Sequence, residues 1–285
     1  MSTDRAGHVA WATNRPYSEM SGVTRGGTRG AAPLRTFLRT ADGVAIDSVY
    51  EPSVSGADSV GDLVFVIAHG FTGDADRPHV RRVARVFSRY GGVVTFSFRG
   101  HGASGGRSTV GDREVLDLAA VVGWARELGY ARVATVGFSM GGSVVLRHAG
   151  VGVAGDVVDA VVSVSAPARW FYRGTAPMRR LHWLVTRPSG RVVGRYGLRT
   201  RIHHRQWDPV PVSPVEAVPG IAPTPLLIVH GDQDAYFPLD HPRMLAAAAG
   251  EHGELWVEPG MGHAENAAPE ALLGRIGDWV VARAG

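Results

Sequence analysis

Val133-Ala134-Thr135-Val136-Gly137-Phe138-Ser139-Met140-Gly141 is the stretch on which the fold turns. Its β-branched start has the composition of a strand, and the Ala/Val/Leu pattern behind it has helical spacing, so Ser139 stands at a strand-to-helix corner. A sharp turn there lifts the serine side chain out of the sheet plane, which presents its hydroxyl as a candidate nucleophile. Gly137 and Gly141 are required because a Cβ at either position would collide as strand and helix close on each other. With 38 glycines among 285 residues, a Gly-x-Ser-x-Gly string arises by chance roughly 0.3 times per chain. Its position and the residues downstream of it decide its meaning.

Strands and helices alternate on both sides of this corner. Leu34 to Arg39, the turn Ala41-Asp42-Gly43, and Val44 to Tyr50 predict an antiparallel hairpin. Leu63 to Ala68 is a continuous apolar run, as a strand covered on both faces requires, and Val80, Val83, Val86 and Phe87 come after it at helical spacing. Val93 to Phe98 reads as the next strand. Asp112 to Leu128 predicts a helix, with acidic residues early and Arg126 late, matching the helix dipole. Val161 to Ser165 and Pro225 to His230 read as further buried strands. This alternation predicts an α/β fold: a mostly parallel twisted sheet with helices on both faces, preceded by the antiparallel hairpin.

Residues 166–220 break the rhythm, with Trp170, Phe171, Tyr172, Trp183 and ten arginines among irregular prolines and glycines. We expect a short helical cap here, inserted between two parts of one core (34–165 and 221–285). It would pass over the carboxyl edge of the sheet, where ligands bind in open α/β folds. A peripheral excursion or a dimer surface is the alternative. Residues 1–33 are polar and glycine-rich with no period, and are expected to form a flexible tail.

Composition excludes several chemistries. Hydrophobic residues make up 45% and charged residues 20%, a globular balance. No apolar run has the length of a membrane span, and no basic start leads into an apolar stretch, so a cytoplasmic location is expected. There is no cysteine, which removes disulfides, thiolate nucleophiles and Cys-based metal sites. All 30 basic residues are arginine. A phosphate loop ending in Gly-Lys, a Schiff-base lysine and a Ser-Lys dyad are therefore impossible. The pI is high, but the net charge is only +4, which fits a solvated arginine-rich surface better than nucleic-acid binding.

A serine hydroxyl needs a base to take its proton and a third group to orient that base. The strand Leu226 to Val229 runs into His230-Gly231-Asp232-Gln233-Asp234, a turn with two carboxylates. Leu255 to Glu258 is followed by Pro259-Gly260-Met261-Gly262-His263, which places a histidine in a glycine-rich loop. The chain order is serine, acid, histidine.

That order, the glycines around Ser139, and His69-Gly70-Phe71-Thr72-Gly73 after an early strand together resemble the α/β-hydrolase family, over about residues 34–285. The resemblance implies Ser139 as nucleophile, His263 as base and Asp234 as the acid. Asp232 is the alternate, its plainer reading being a turn-capping carboxylate. The resemblance also implies an oxyanion hole from the backbone N–H groups of Phe71 and Met140. Phe71, Trp170 and Tyr236 are the candidate substrate-binding side chains.

Gly100, Gly102 and Gly105 satisfy Gly-x-Gly-x-x-Gly after a strand, but the loop runs on to Gly111 before a helix begins, and the next strand ends in Ser139 with no acid. A dinucleotide site needs both. Arg99-Gly100-His101-Gly102-Ala103-Ser104-Gly105 is instead similar to a structural loop of α/β-hydrolases. Ser97 stands where an aspartate often precedes Phe-Arg-Gly, which removes a loop-bracing carboxylate. His203-His204 has no acid at ligand spacing, so no metal site is expected.

The expected activity is cofactor-free and metal-free hydrolysis of a small to medium carboxylic ester through an acyl-enzyme, in the manner of bacterial carboxylesterases, feruloyl-type esterases and monoacylglycerol lipases. Thioester hydrolysis, peptide cleavage and acyl transfer are subsidiary readings. The aromatic and arginine content of the cap hints at an acyl group with an aromatic or anionic part, with Arg169, Arg173 and Arg179 the arginines whose replacement would test it. A noncatalytic binding protein on the same scaffold is the reading from another class.

Overall fold

The computed structural model describes residues 33–54, 62–152 and 157–285. The tail expected over 1–33 lies outside the described residues, apart from Pro33. The order of elements is β1 (Leu34–Arg39), β2 (Ala45–Glu51), β3 (Leu63–Ala68), α1 (Pro78–Phe87), β4 (Gly92–Phe96), α2 (Glu114–Glu127), β5 (Arg132–Phe138) and α3 (Met140–Val151). It continues with β6 (Ala160–Val164), α4 (Ala176–Thr186), α5 (Pro188–Gly197), α6 (Pro214–Ala217), β7 (Leu226–Gly231), α7 (Asp240–Ala249), β8 (Gly253–Glu258), α8 (Ala264–Ala267) and α9 (Glu270–Arg283). Among the described residues no helix is long and apolar enough to cross a membrane.

The eight strands form one sheet in the order β1-β2-β4-β3-β5-β6-β7-β8. β2 is antiparallel to both of its neighbours, and the remaining pairs are parallel. The hairpin turns where the Asp-Gly pair predicts, with Gly43 at φ +84°. Side chains of β3 alternate between two cores: Val64, Val66 and Ala68 pack with α2, α3 and α7 on one face, while Leu63, Phe65 and Ile67 pack with α1 and α9 on the other. This explains why β3 reads as an unbroken apolar run. Every parallel strand ends at the same edge, which gathers the turns after β3, β5, β7 and β8 into one place.

The loop after β4 is braced by a carboxylate that comes from a different element than expected. Asp117 of α2 is fully buried and accepts the Arg99 backbone N–H (2.8 Å) and Nε–H (2.9 Å). Asp42, at the hairpin turn, accepts from the far side of the same guanidinium at 2.7 and 3.0 Å. Ser97 contributes a hydroxyl oxygen that accepts the Ala75 N–H at 3.1 Å. With Asp117 supplying the acceptor oxygens, the loop does without an acid at position 97. No helix opens within the Gly100–Gly106 loop, since α2 begins only at Glu114.

Within 166–220 the chain forms α4, α5 and α6, set among irregular stretches. α4 and α5 meet at Arg187-Pro188, each starts with proline in its first turn, and both expose most of their surface.

Candidate active site

Ser139 sits between β5 and α3 at φ 51°, ψ −112°, a conformation that L-residues avoid. The packing around it explains both glycines of the motif: a Cβ on Gly137 would strike the Gly141 carbonyl, and a Cβ on Gly141 would strike the Ala68 carbonyl at the end of β3. Neither obstacle is a side chain that can swing away. Gly141→Ala is therefore expected to cost at least about 3 kcal/mol. Calorimetry should show this as a fall in Tm of about 6–12 °C.

The three polar side chains named from the sequence come together at the carboxyl edge of the sheet. Ser139 Oγ lies 2.9 Å from His263 Nε2, and His263 Nδ1 lies 2.8 Å from Asp234 Oδ2. The other carboxylate oxygen of Asp234 accepts the backbone N–H groups of Tyr236 (2.8 Å) and Phe237 (3.1 Å). Burial alone would push the Asp234 carboxyl up, but the His263 hydrogen bond, the His263 charge and these two N–H groups outweigh it and hold the carboxyl below its ordinary range. With Asp234 ionised, the proton on neutral His263 belongs on Nδ1, leaving Nε2 bare to accept from the serine. Asp232 points elsewhere, accepting the Gly260 N–H at 2.7 Å.

Buried His230 supports the acid. Its Nε2–H donates to the Phe237 carbonyl at 2.9 Å and lies 3.6 Å from Asp234 Oδ2. Burial holds its basicity below the usual imidazole value.

The turn after β3 is held from two sides. The ring of His69 is fully buried, and burial lowers its pKa to about 3, so it stays neutral. Its Nε2 accepts the Phe98 N–H at 3.0 Å, which places the ring proton on Nδ1, where it donates to the Gly70 carbonyl at 2.7 Å. Because the Gly70–Phe71 peptide is planar and trans, drawing its carbonyl toward His69 leaves the Phe71 N–H on the opposite edge. From the other side, buried Glu265 accepts the Gly70 N–H at 2.9 Å. A Cβ on Gly70 would stand 3.1 Å from Glu265 Oε1 and 3.5 Å from Ser139 Cβ, so this turn packs directly against the serine. Met140 N–H is the first of α3 and has no partner within the helix by geometry.

A cavity of about 1380 Å³ opens at Ser139. Phe71, Met140, Trp170, Met178 and Phe237 line it together with the serine. Trp170 is pinned by an Nε1–H bond to the Pro211 carbonyl (2.9 Å) and by Trp207 (ring centroids 5.0 Å). Tyr236 occupies a different place: its ring stacks on the His263 imidazole at 4.2 Å, and Phe237 is the residue of that turn that lines the cavity. Of the three arginines picked out in the sequence, Arg169 and Arg173 line the cavity and Arg179 does not. Arg169 is occupied by Asp240 at 2.7 Å. His203 and His204 stack at 5.0 Å.

Glu265 has no signal in the sequence, and His69 and His230 appear there only as members of quoted stretches, with no role assigned to either. Ala264-Glu265-Asn266 has nothing to mark its acid as buried, and the bonds that give the two histidines their roles depend on partners outside those stretches.

The sequence profile of the alpha/beta hydrolase family matches residues 63–275. A monoacylglycerol lipase from Mycolicibacterium smegmatis is 28% identical over 258 residues, covering 76% of this chain and 88% of that protein. Among solved structures, the Pyrococcus furiosus esterase Pf2001 superposes with a TM-score of 0.68 at 23% identity, covering 89% of this chain and 94% of that one. Est1E from Butyrivibrio proteoclasticus, solved with ferulic acid, gives 0.59 at 18% identity, with 87% and 98% covered. With three quarters of its length matched by that profile, and its strands and turns in the corresponding order, this chain belongs to the alpha/beta hydrolase family.

Proposed function

We propose that this protein hydrolyses carboxylic esters through a serine nucleophile. Ser139 Oγ attacks the carbonyl carbon while His263 Nε2 takes its proton, and Asp234 holds the tautomer and stabilises the imidazolium. The oxyanion forming on the carbonyl is met by the N–H groups of Phe71 and Met140, each donor typically worth about 10²–10³ in rate. The imidazolium then protonates the leaving alcohol. Water, deprotonated by the same imidazole, attacks the acyl-enzyme and regenerates Ser139. The segment 166–220 acts as a cap that shelters this chemistry from bulk water.

The observation that carries this reading is the unbroken chain Ser139 Oγ to His263 Nε2 (2.9 Å) to Asp234 Oδ2 (2.8 Å). The lipase and esterase likenesses support the ester as substrate. Release of p-nitrophenol from short acyl esters by the wild type, and its loss in Ser139→Ala, tests the reading. A mutant as active as the wild type would refute it.

Glu265 is a positioning residue in this scheme, because its carboxylate holds the Gly70 N–H, one peptide ahead of the one that carries the Phe71 N–H. Glu265→Ala is expected to lower kcat by about 10- to 100-fold with little change in KM. Glu265→Gln keeps an acceptor oxygen and should recover most of the loss. Equal loss in both variants, or a loss confined to KM, would show that the side chain does not act on the turn.

A further inference from the structure

The cavity at Ser139 carries far more positive charge than a neutral ester needs. Seven arginines line it against three aspartates. Asp42 is already taken by Arg99, and Asp112 lies near buried Arg147, at 3.9 Å. Asp208 is the third, on the exposed stretch before Pro209. Arg169 is matched by Asp240. Arg113 lies 3.8 Å from Asp42, and Arg173 Nε–H donates to His182 Nδ1. The remaining three, Arg107, Arg191 and Arg205, line the cavity with His203 and His204, whose rings stack; desolvation, then His203, then these arginines disfavour protonation of His204. The Arg107 and Arg205 guanidiniums have no ion-pair or hydrogen-bond partner among the described residues. Arg191 spends donors only on the carbonyls of Val185 and Thr186.

Arg107 and Arg205 do not brace the fold, since they make no ion pairs among the described residues, and the cluster keeps like charges together at an electrostatic cost. Its chain segments are brought together by a parallel bridge between Ser108 and Ile202, with Ser108 N–H donating to the Arg201 carbonyl at 2.7 Å. That bridge seats Ser108 between Arg201 and His203, whose N–H donates to the Ser108 carbonyl at 2.8 Å, and so brings the segment carrying Arg107 alongside the one that leads into 203–205. A cleft lined by one sign of charge concentrates ligands of the other sign. The cavity volume of about 1380 Å³ also exceeds the roughly 300–1,000 Å³ of ordinary small-ligand pockets. It leaves room for an apolar chain beside Phe71 and Met178 and a polar group beyond.

We propose that the substrate is an anionic ester, whose phosphate or carboxylate is held by Arg107, Arg205 and the His203–His204 pair at the outer end of the cavity that opens at Ser139. This rests on the ester-hydrolase reading above and narrows it. The anion sits either on the alcohol part, as in an acylglycerol phosphate, or at the far end of the acyl part, as in a dicarboxylic half-ester. The recognition chemistry is the same: guanidinium forks and imidazole N–H donors on an oxyanion.

The test compares two matched pairs at low salt: 1-lauroylglycerol 3-phosphate against 1-lauroylglycerol, and the mono-4-nitrophenyl ester of adipic acid against 4-nitrophenyl hexanoate. We expect kcat/KM to favour the anionic member of one pair by about ten-fold or more. The pair that shows the preference identifies which side of the ester bears the charge. The preference should shrink several-fold in about 0.5 M salt. In the double variant Arg107→Gln/Arg205→Gln the anionic-to-neutral ratio, each enzyme serving as its own reference, should fall toward unity. Labelling of Ser139 by a fluorophosphonate verifies that the variant is folded. Neutral members cleaved as fast as the anionic ones in both pairs, or a ratio unchanged by the double variant, would overturn the proposal while leaving the ester-hydrolase reading in place. A wild-type enzyme inactive on all four compounds and unlabelled by the fluorophosphonate would overturn both.

Discussion

Asp234→Asn is expected to lower kcat on a simple ester by about 10⁴-fold while leaving Tm within a few degrees of wild type. The reason lies in how the carboxylate is anchored. One oxygen is committed to the N–H groups of Tyr236 and Phe237, so an asparagine would keep its carbonyl oxygen there and turn its NH₂ toward His263. An NH₂ facing Nδ1 needs a bare nitrogen, which moves the imidazole proton to Nε2 and leaves nothing to accept the Ser139 hydroxyl proton. Steady-state kinetics beside a thermal melt checks this. A loss of ten-fold or less would mean that Asp234 only packs against the ring.

The second large effect is acid unfolding. His69, His101, His148 and His241 are all buried, and burial lowers their pKa values to about 3 for His69 and about 4 for the other three. In the unfolded chain each returns to the ordinary value near 6.5. The unfolded state then binds more protons, so stability rises with pH. The contribution is complete above about pH 6.5 and is lost as pH falls toward 4. By pH 5.5 the four groups together forfeit on the order of 5 kcal/mol, comparable to the lower end of a domain's total stability. Calorimetry from pH 8 to pH 5 should show Tm falling steeply below about pH 6.5. His148, whose ring nitrogens have no partner among the described residues, is the one to remove. His148→Leu should flatten the slope by about a quarter. A Tm that stays level from pH 7 to 5.5 would contradict this assignment of buried, neutral histidines.

The fold was legible where one strand's own residues announce it. β3 could be read because both of its faces are buried, and the corner at Ser139 because its glycines answer to carbonyls of adjacent turns. Ser139, Asp234 and His263 were legible for a related reason: each lies just past a recognisable strand, in a turn with its own glycine or proline chemistry, and a parallel sheet delivers all such ends to one edge.

The features that escaped depend on partners distant in the chain. Glu265 meets Gly70 across 195 positions, and neither residue's neighbours hint at the other. The loop around Arg99 lacks an acid at position 97 yet gains one from Asp117, one helix later. Arg169 of the cap reads as available in the sequence for the same reason, yet it is bonded to Asp240, 71 positions on. Arg107 and Arg205 were passed over because they lie in glycine-rich or irregular loops, and only the bridge at Ser108 and Ile202 makes them neighbours.

Acyl chemistry at this site requires Ser139 to be the residue that forms the covalent bond to substrate. Incubation with a fluorophosphonate, digestion with trypsin and mass spectrometry would read this directly, because cleavage at Arg132 and Arg147 releases Val133–Arg147 as one peptide. The expected result is a single adduct on that peptide, placed by fragmentation on Ser139 rather than Ser143, and absent from Ser139→Ala. No adduct on an enzyme that hydrolyses esters, or an adduct that survives in the Ser139→Ala protein, would contradict it.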